Sequence, residues 1–171
     1  MLIGRGTPHA RLGRGAPGPR AMSRAKPKPE RPKPEALREN HSKVVLVDGS
    51  NVAFSGEGEK AQLKNIVAVR DRLVAEGFEP VVVVDAALRH KIDDEAGYER
   101  LVDTGVIKQA PAGTDADYFI LSFAEELDAS VVSNDRFKDR IKQYPALRKR
   151  LIKYMIVQGE VIFEKRTGRR E

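Results

Sequence analysis

Apolar positions along the chain follow two patterns, and these alternate from residue 44 onward. Val44-Val45-Leu46-Val47 and Val81-Val82-Val83-Val84 are short, β-branched runs that read as strands buried on both faces. Between them Leu63, Ile66, Val67, Leu73 and Val74 recur at helical spacing and stop at Gly77, a residue suited to a helix terminus. Tyr98, Leu101 and Val102 predict a second helix ending at Gly105, and Val106-Ile107 begins a third strand. Phe119, Ile120, Phe123, Ala124 and Leu127 predict another helix, opened by Thr114, with Ser130-Val131-Val132-Ser133 as the fourth strand. Short helical pieces follow as far as Arg150. The last two apolar runs, 154–157 and 161–163, flank Gln158-Gly159 and read as a hairpin or a bent edge strand. Strand and helix in alternation predict an α/β fold with a mainly parallel sheet covered on both faces.

Residues 1–40 break this pattern. They hold seven of the ten prolines, and Lys26–Glu35 alternates proline with charge. Such a stretch buries too little apolar surface to offset its ordering entropy, so a disordered basic tail at 1–40 and a folded domain at 41–171 are expected. The tail reads as a tether for nucleic acid, as a plain linker, or as sequence upstream of a start at Met22. Its ten Lys/Arg against three Glu give a net charge of +7, whereas residues 41–135 carry −9 and residues 136–171 carry +8. An acidic centre with basic flanks suggests a polyanion partner near a carboxylate-rich site; charge on solvated faces explains the same numbers.

The chain has 171 residues, enough for one domain with extras, and no cysteine. Disulfide scaffolds, thiolate zinc sites and cysteine nucleophiles are thereby excluded, and a reducing cytoplasm is expected. No apolar run approaches the ~20 residues of a membrane span, and the N-terminal arginines precede no signal-like apolar stretch.

In open α/β sheets, ligands bind beyond the carboxyl ends of the strands. Three predicted strands run into acidic residues at that end, namely Asp48, Asp85 and Asn134-Asp135. Asp139 follows Asp135 by four residues, which places both on one side of a helical turn. Asp115 and Asp117 open the helix before the fourth strand. Singly, each has an ordinary explanation. Thr114 and Asp117 fit a capping box, Asn134 or Asp135 fits a helix cap, and Asp85 fits a turn. Together they repel, at roughly 3 kcal/mol for a pair ~5 Å apart in an effective dielectric near 20. A hard divalent cation offsets that repulsion, and oxygen donors without His or Cys select Mg²⁺ or Mn²⁺. The run Asp48-Gly49-Ser50-Asn51 alone reads equally as an Asx turn or a phosphoacceptor site, although haloacid-dehalogenase phosphatases need an aspartate where Ser50 stands. Neither G-x-x-x-x-G-K-[ST] nor G-x-G-x-x-G follows the first strand, so no nucleotide cofactor is expected.

Two segments, Val44–Ala53 with its D-G-S-N and Asp117–Ile120 running on to Ser133-Asn134-Asp135-Arg136-Phe137-Lys138-Asp139, resemble the NYN ribonucleases of the Regnase (MCPIP) type within the PIN-like nucleases. The resemblance spans roughly residues 43–165. It implies a PIN-like Rossmannoid fold, a three-layer α/β/α arrangement, and Mg²⁺-dependent endonucleolytic cleavage of single-stranded or loop RNA. By position, Asp48, Asp117, Asp135 and Asp139 match that family's acidic metal site, and Asn51 matches the asparagine that orients the first aspartate. The animal members carry two adjacent aspartates where this chain reads Ala116-Asp117, with the other acid moved to Asp115. Their CCCH zinc finger has no cysteine here to build it. Metal-activated water would leave 5′-phosphate and 3′-hydroxyl ends, and His9, His41 and His90 are too scattered to act as a pair. RNA phosphates are expected on Arg89, Arg136, Lys138 and Lys142, which give affinity without sequence preference. Arg136 and Arg140 also stand beside acids they could pair with. The rival readings are a non-catalytic RNA-binding or adaptor module and a PIN-like structure-selective DNA nuclease; a homo-oligomer stays open.

Overall fold

The run Val44–Asp48 forms strand β1 at the centre of a parallel sheet, in a computed structural model that describes residues 43–56 and 58–164. The tail expected at 1–40 lies outside the described residues. Strands β2 (Glu79–Val84), β3 (Ile107–Gln109), β4 (Ser130–Val132) and β5 (Leu151–Ile152) complete the sheet in the order β3-β2-β1-β4-β5. All four pairings are parallel, and Leu46 stands opposite Val81 on one side and Val131 on the other.

Side chains alternate across the sheet, so the β-branched runs feed two cores at once. Val45, Val47, Val82 and Val84 pack with α1 (Gly49–Ala53), α2 (Leu63–Ala75) and Tyr98 of α3 (Glu95–Asp103). Leu46, Val83 and Val131 pack on the opposite face with Ile120, Leu121 and Ala124 of α4 (Ala116–Glu126), together with Phe137, Ile141, Tyr144 and Leu147. The result is the three-layer α/β/α arrangement. Each of these fully buried aliphatic side chains contributes about 1.5–3 kcal/mol relative to exposure.

Several details differ from the sequence reading. The pair Leu151-Ile152 is a fifth parallel strand, too short to register as a period before Lys153 interrupts it. What reads as a turn after Asp48 is the five-residue helix α1. The segment carrying Asp135 and Asp139 is not a helical turn: Phe137 has φ 47°, and residues 138–140 form a turn. Its buried ring anchors the loop instead of extending a helix. The later helical pieces are 3₁₀ helices, Ile141–Gln143 and Pro145–Lys149. Strands β6 (Tyr154–Val157) and β7 (Glu160–Phe163) form a separate antiparallel hairpin. Gln158 and Gly159 at its tip both have positive φ, 50° and 81°, as a tight two-residue turn requires.

From β1 the chain steps outward to β2 and β3, then returns to lay β4 on the other flank of β1. The carboxyl ends of β1 and β4 therefore bound the switch point of the sheet. Gly49 lets the chain leave β1 there. A Cβ on it would stand 2.6 Å from Val84 Cγ1 and 2.8 Å from Val82 Cγ1, both in the buried wall of β2. Gly49→Ala is expected to cost about 1–3 kcal/mol through overpacking, read as a lower midpoint in urea unfolding.

Candidate active site

Strand β1 delivers Asp48 to the switch point with only 5% of its surface exposed. Both carboxylate oxygens have donors. The Asn51 backbone N–H donates to Oδ1 at 3.0 Å, and the hydroxyl of Ser133, the first residue past β4, donates to Oδ2 at 2.8 Å. Burial nevertheless holds the Asp48 pKa above the ordinary carboxylate range, and the nearby Asp135 charge adds to the effect.

Ser133 continues the connection, because its Oγ accepts the Asp135 N–H at 3.0 Å. Asp135 Oδ1 in turn accepts the Phe137 N–H at 2.8 Å, fixing the loop around the exposed carboxylate. Asn51 orients Asp48 through its main chain. Its side-chain Oδ1 accepts the Asn134 N–H (2.9 Å) and the Tyr154 hydroxyl (2.8 Å). The Asn134 amide then pairs with both the N–H and C=O of Tyr154, at 3.1 and 3.0 Å. Lys153 closes the frame: Nζ donates to the carbonyls of Ser133 (3.1 Å) and Asp135 (2.7 Å), with burial lowering its pKa.

The other acids arrive on α4. Asp115 is the N-cap, accepting from the N–H groups of Asp117 and Tyr118, so Thr114 does not cap this helix. Its second oxygen pairs with Arg140. Asp117, in the first turn, is half-buried. Its pKa is pushed up to about 6, first by burial and then by the charges of Asp48, Asp115 and Asp135, while Arg140 opposes the shift. A helix N-terminus favours a carboxylate, so burial and like charge outweigh the dipole here.

Asp115, Asp117, Asp135 and Asp139 line a cavity of about 380 Å³, with Lys138 and Arg140 among its walls. Asp48 is not among these walls but lies close enough for its charge to raise the Asp117 pKa. Among the described residues no three His, Cys, Asp or Glu side chains are placed to hold one ion directly. The basic residues separate. Arg136 and Lys142 are exposed nearby in sequence, whereas Arg89 lies in the 3₁₀ helix Ala86–His90 and pairs with Glu99 at 2.8 Å. Asp85 caps that same helix, away from the cavity walls. Lys153 and Tyr154 have no site role in the sequence reading, and Ser133 and Asn134 enter it only within the resemblance motif and, for Asn134, as a helix cap. Lys153, a charge inside an otherwise apolar run, was the visible signal.

The family model described as the Zc3h12a-like Ribonuclease NYN domain matches residues 41–171. Among solved structures, two of nuclear protein-only RNase P 2 (PRORP2) from Arabidopsis thaliana share the fold. Their TM-scores are 0.60 and 0.61 at 20% identity, over 76% and 78% of this chain. The chain spans about a third of their length, 31% and 32%. No curated protein matches it by sequence.

The raised Asp117 pKa has a thermodynamic consequence. Between its ordinary value of 3.8 and about 6 the folded chain holds a proton that the unfolded chain releases, so this group's contribution makes stability fall as pH rises through that window. After solvent screening the effect is on the order of 1 kcal/mol. In chelator, Asp117→Asn is expected to raise the thermal midpoint at pH 7 and to leave it little changed at pH 4.

Proposed function

Since this chain belongs to the Zc3h12a-like ribonuclease NYN family, we propose that it is a metal-dependent endoribonuclease that hydrolyses single-stranded or loop RNA in the cytoplasm. The observation that carries the reading is the convergence of Asp48, Asp117 and Asp135 at the switch point, with Asp117 pushed up to about 6 by burial and its acidic neighbours. A fold retains such repulsion where a cation relieves it.

The donor set fits Mg²⁺ or Mn²⁺, being carboxylate oxygen without His or Cys. Asp48, Asp117 and Asp135 would hold the ion, one or two of them directly and the others, with Asp139, through water. That sparse ligation suits Mg²⁺, which keeps much of its hydration. When bound, the ion supplies the Lewis acidity that makes water nucleophilic near neutral pH and offsets charge on the phosphate. Hydrolysis of this kind leaves 5′-phosphate and 3′-hydroxyl ends.

The chain's own residues have separate tasks. Ser133 and the Asn51 N–H aim the Asp48 carboxylate and oppose the upward pull of burial on its pKa. Lys153 fixes the loop bearing Asp135 and sets a positive charge behind it. Lys138, in the cavity wall, and the exposed Arg136 and Lys142 draw in the RNA backbone. Arg140 is committed to Asp115 and moderates the acidic cluster.

The deciding experiment incubates the purified chain with labelled single-stranded RNA, matched DNA, Mg²⁺ and EDTA. Asp48→Asn and Asp135→Asn should each lower Mg²⁺-dependent RNA cleavage by about a hundredfold or more with the fold intact by circular dichroism. Wild-type rates in both, or cleavage that survives EDTA, would remove the metal-site assignment. Binding without cleavage at any Mg²⁺ or Mn²⁺ concentration would point to an RNA-binding module, and cleavage of DNA alone to a DNA nuclease. Lys138→Ala should weaken RNA binding and reduce the slope of log affinity against log salt by about one.

A further inference from the structure

A second opening, about 800 Å³ in volume, lies between Ser55-Gly56, the start of α2 and the Gln158-Gly159 turn. A chain of contacts links it to the carboxylates: Ser55 bonds the Tyr154 hydroxyl, that hydroxyl donates to Asn51 Oδ1, and the Asn51 N–H donates to Asp48. Its wall holds one buried donor that lacks an acceptor. Asn65 is 4% exposed, and its Nδ2 has no hydrogen-bond partner among the described residues. Buried polar groups are satisfied in the great majority of cases, so a buried amide facing a groove marks a place where a ligand supplies the acceptor.

Two other features agree in sign. They do not include the first N–H of helix α2, that of Leu63, which is already donated to Asp93 Oδ1 at 2.9 Å. Lys64, in the first turn of α2, is exposed and in no ion pair among the described residues. Gly56 keeps side-chain bulk off the buried amide, since a Cβ there would stand 3.4 Å from Asn65 Nδ2 and 3.3 Å from Gln62 Oε1. An ammonium and an unpaired amide N–H both call for an anionic oxygen acceptor.

We propose that this groove seats a backbone phosphate of the RNA strand flanking the scissile bond, with Asn65 Nδ2 and the Lys64 ammonium as its donors. The proposal rests on the nuclease reading and extends it. The acidic cavity repels the strand it must cut, and a neighbouring donor-lined groove holds that strand in place.

The test titrates the full chain with labelled single-stranded RNA in EDTA, where cleavage does not intervene, over a range of salt. Asn65→Leu should weaken binding about five- to tenfold while the thermal midpoint stays or rises, because an unpaired buried amide becomes apolar. Asn65→Asp keeps the shape but adds a negative charge, and should weaken binding further. Lys64→Ala should lower the salt slope by about one. An RNA with a single neutral methylphosphonate beside the cleavage site should reproduce the loss in wild type and add nothing to Asn65→Leu. Unchanged affinity and slope in all three variants would overturn the groove even if the wild type cleaves RNA with Mg²⁺. Affinity lost together with the thermal midpoint in both Asn65 variants, with the slope of Lys64→Ala unchanged, would overturn it as well. Weakened variants of a chain that never cleaves would uphold the groove and sink the nuclease reading. Inorganic phosphate bound here without any effect of the variants on RNA would make it a small-anion site and overturn the strand assignment.

Discussion

Burying one carboxylate at the end of the central strand obliges the rest of that edge to organise around it. An ionised Asp48 in a low-dielectric setting is costly unless both oxygens are donated to. One donor is local, the Asn51 N–H; the other, Ser133, is 85 residues away. From those two residues the polar connections spread to Asp135, Asn134, Tyr154 and Lys153. β1, the β4 loop and the hairpin thus become one hydrogen-bonded frame, in which each bond restricts the others. The same frame explains the apparent contradiction of an acidic site beside basic flanks. The carboxylates are placed by hydrogen bonds and packing, Lys138 and Arg140 stand in the cavity wall, and Arg140 pairs with Asp115 inside the cluster.

Much of this was legible in the sequence. Long β-branched runs and 3.6-residue periodicity mark the central strands and the main helices because burial on both faces leaves no polar position to confuse the pattern. Asp48, Asp117, Asp135 and Asp139 could be placed at one sheet edge because strand polarity fixes where their ends lie. The failures have physical causes too. β5 has two residues, below any usable period, and α1 has five. Asp135 and Asp139 sit at helical spacing, yet Phe137 buries its ring by taking positive φ, and burial overrides local spacing.

The polar partners were the least legible part. Nothing in a linear string says that the Asn51 side chain faces Asn134 and Tyr154 while its amide serves Asp48. Arg89 shows the converse. Its position after β2 suggested a phosphate contact, but three-dimensional proximity gives it Glu99 as a partner. Charge type is written in the sequence; which charge it meets is a property of the fold.

The long reach between Asp48 and its distant partners also governs when the site can exist. The Tyr154 hydroxyl that reaches Asn51 is separated from it by 103 residues. A ribosome delivers the first aspartate early and its supporting hydroxyls, amides and ammonium late. Until then the nascent chain holds a lone acid without its scaffold, and contacts of such wide sequence separation form slowly. Competence is therefore withheld until nearly the whole domain has emerged.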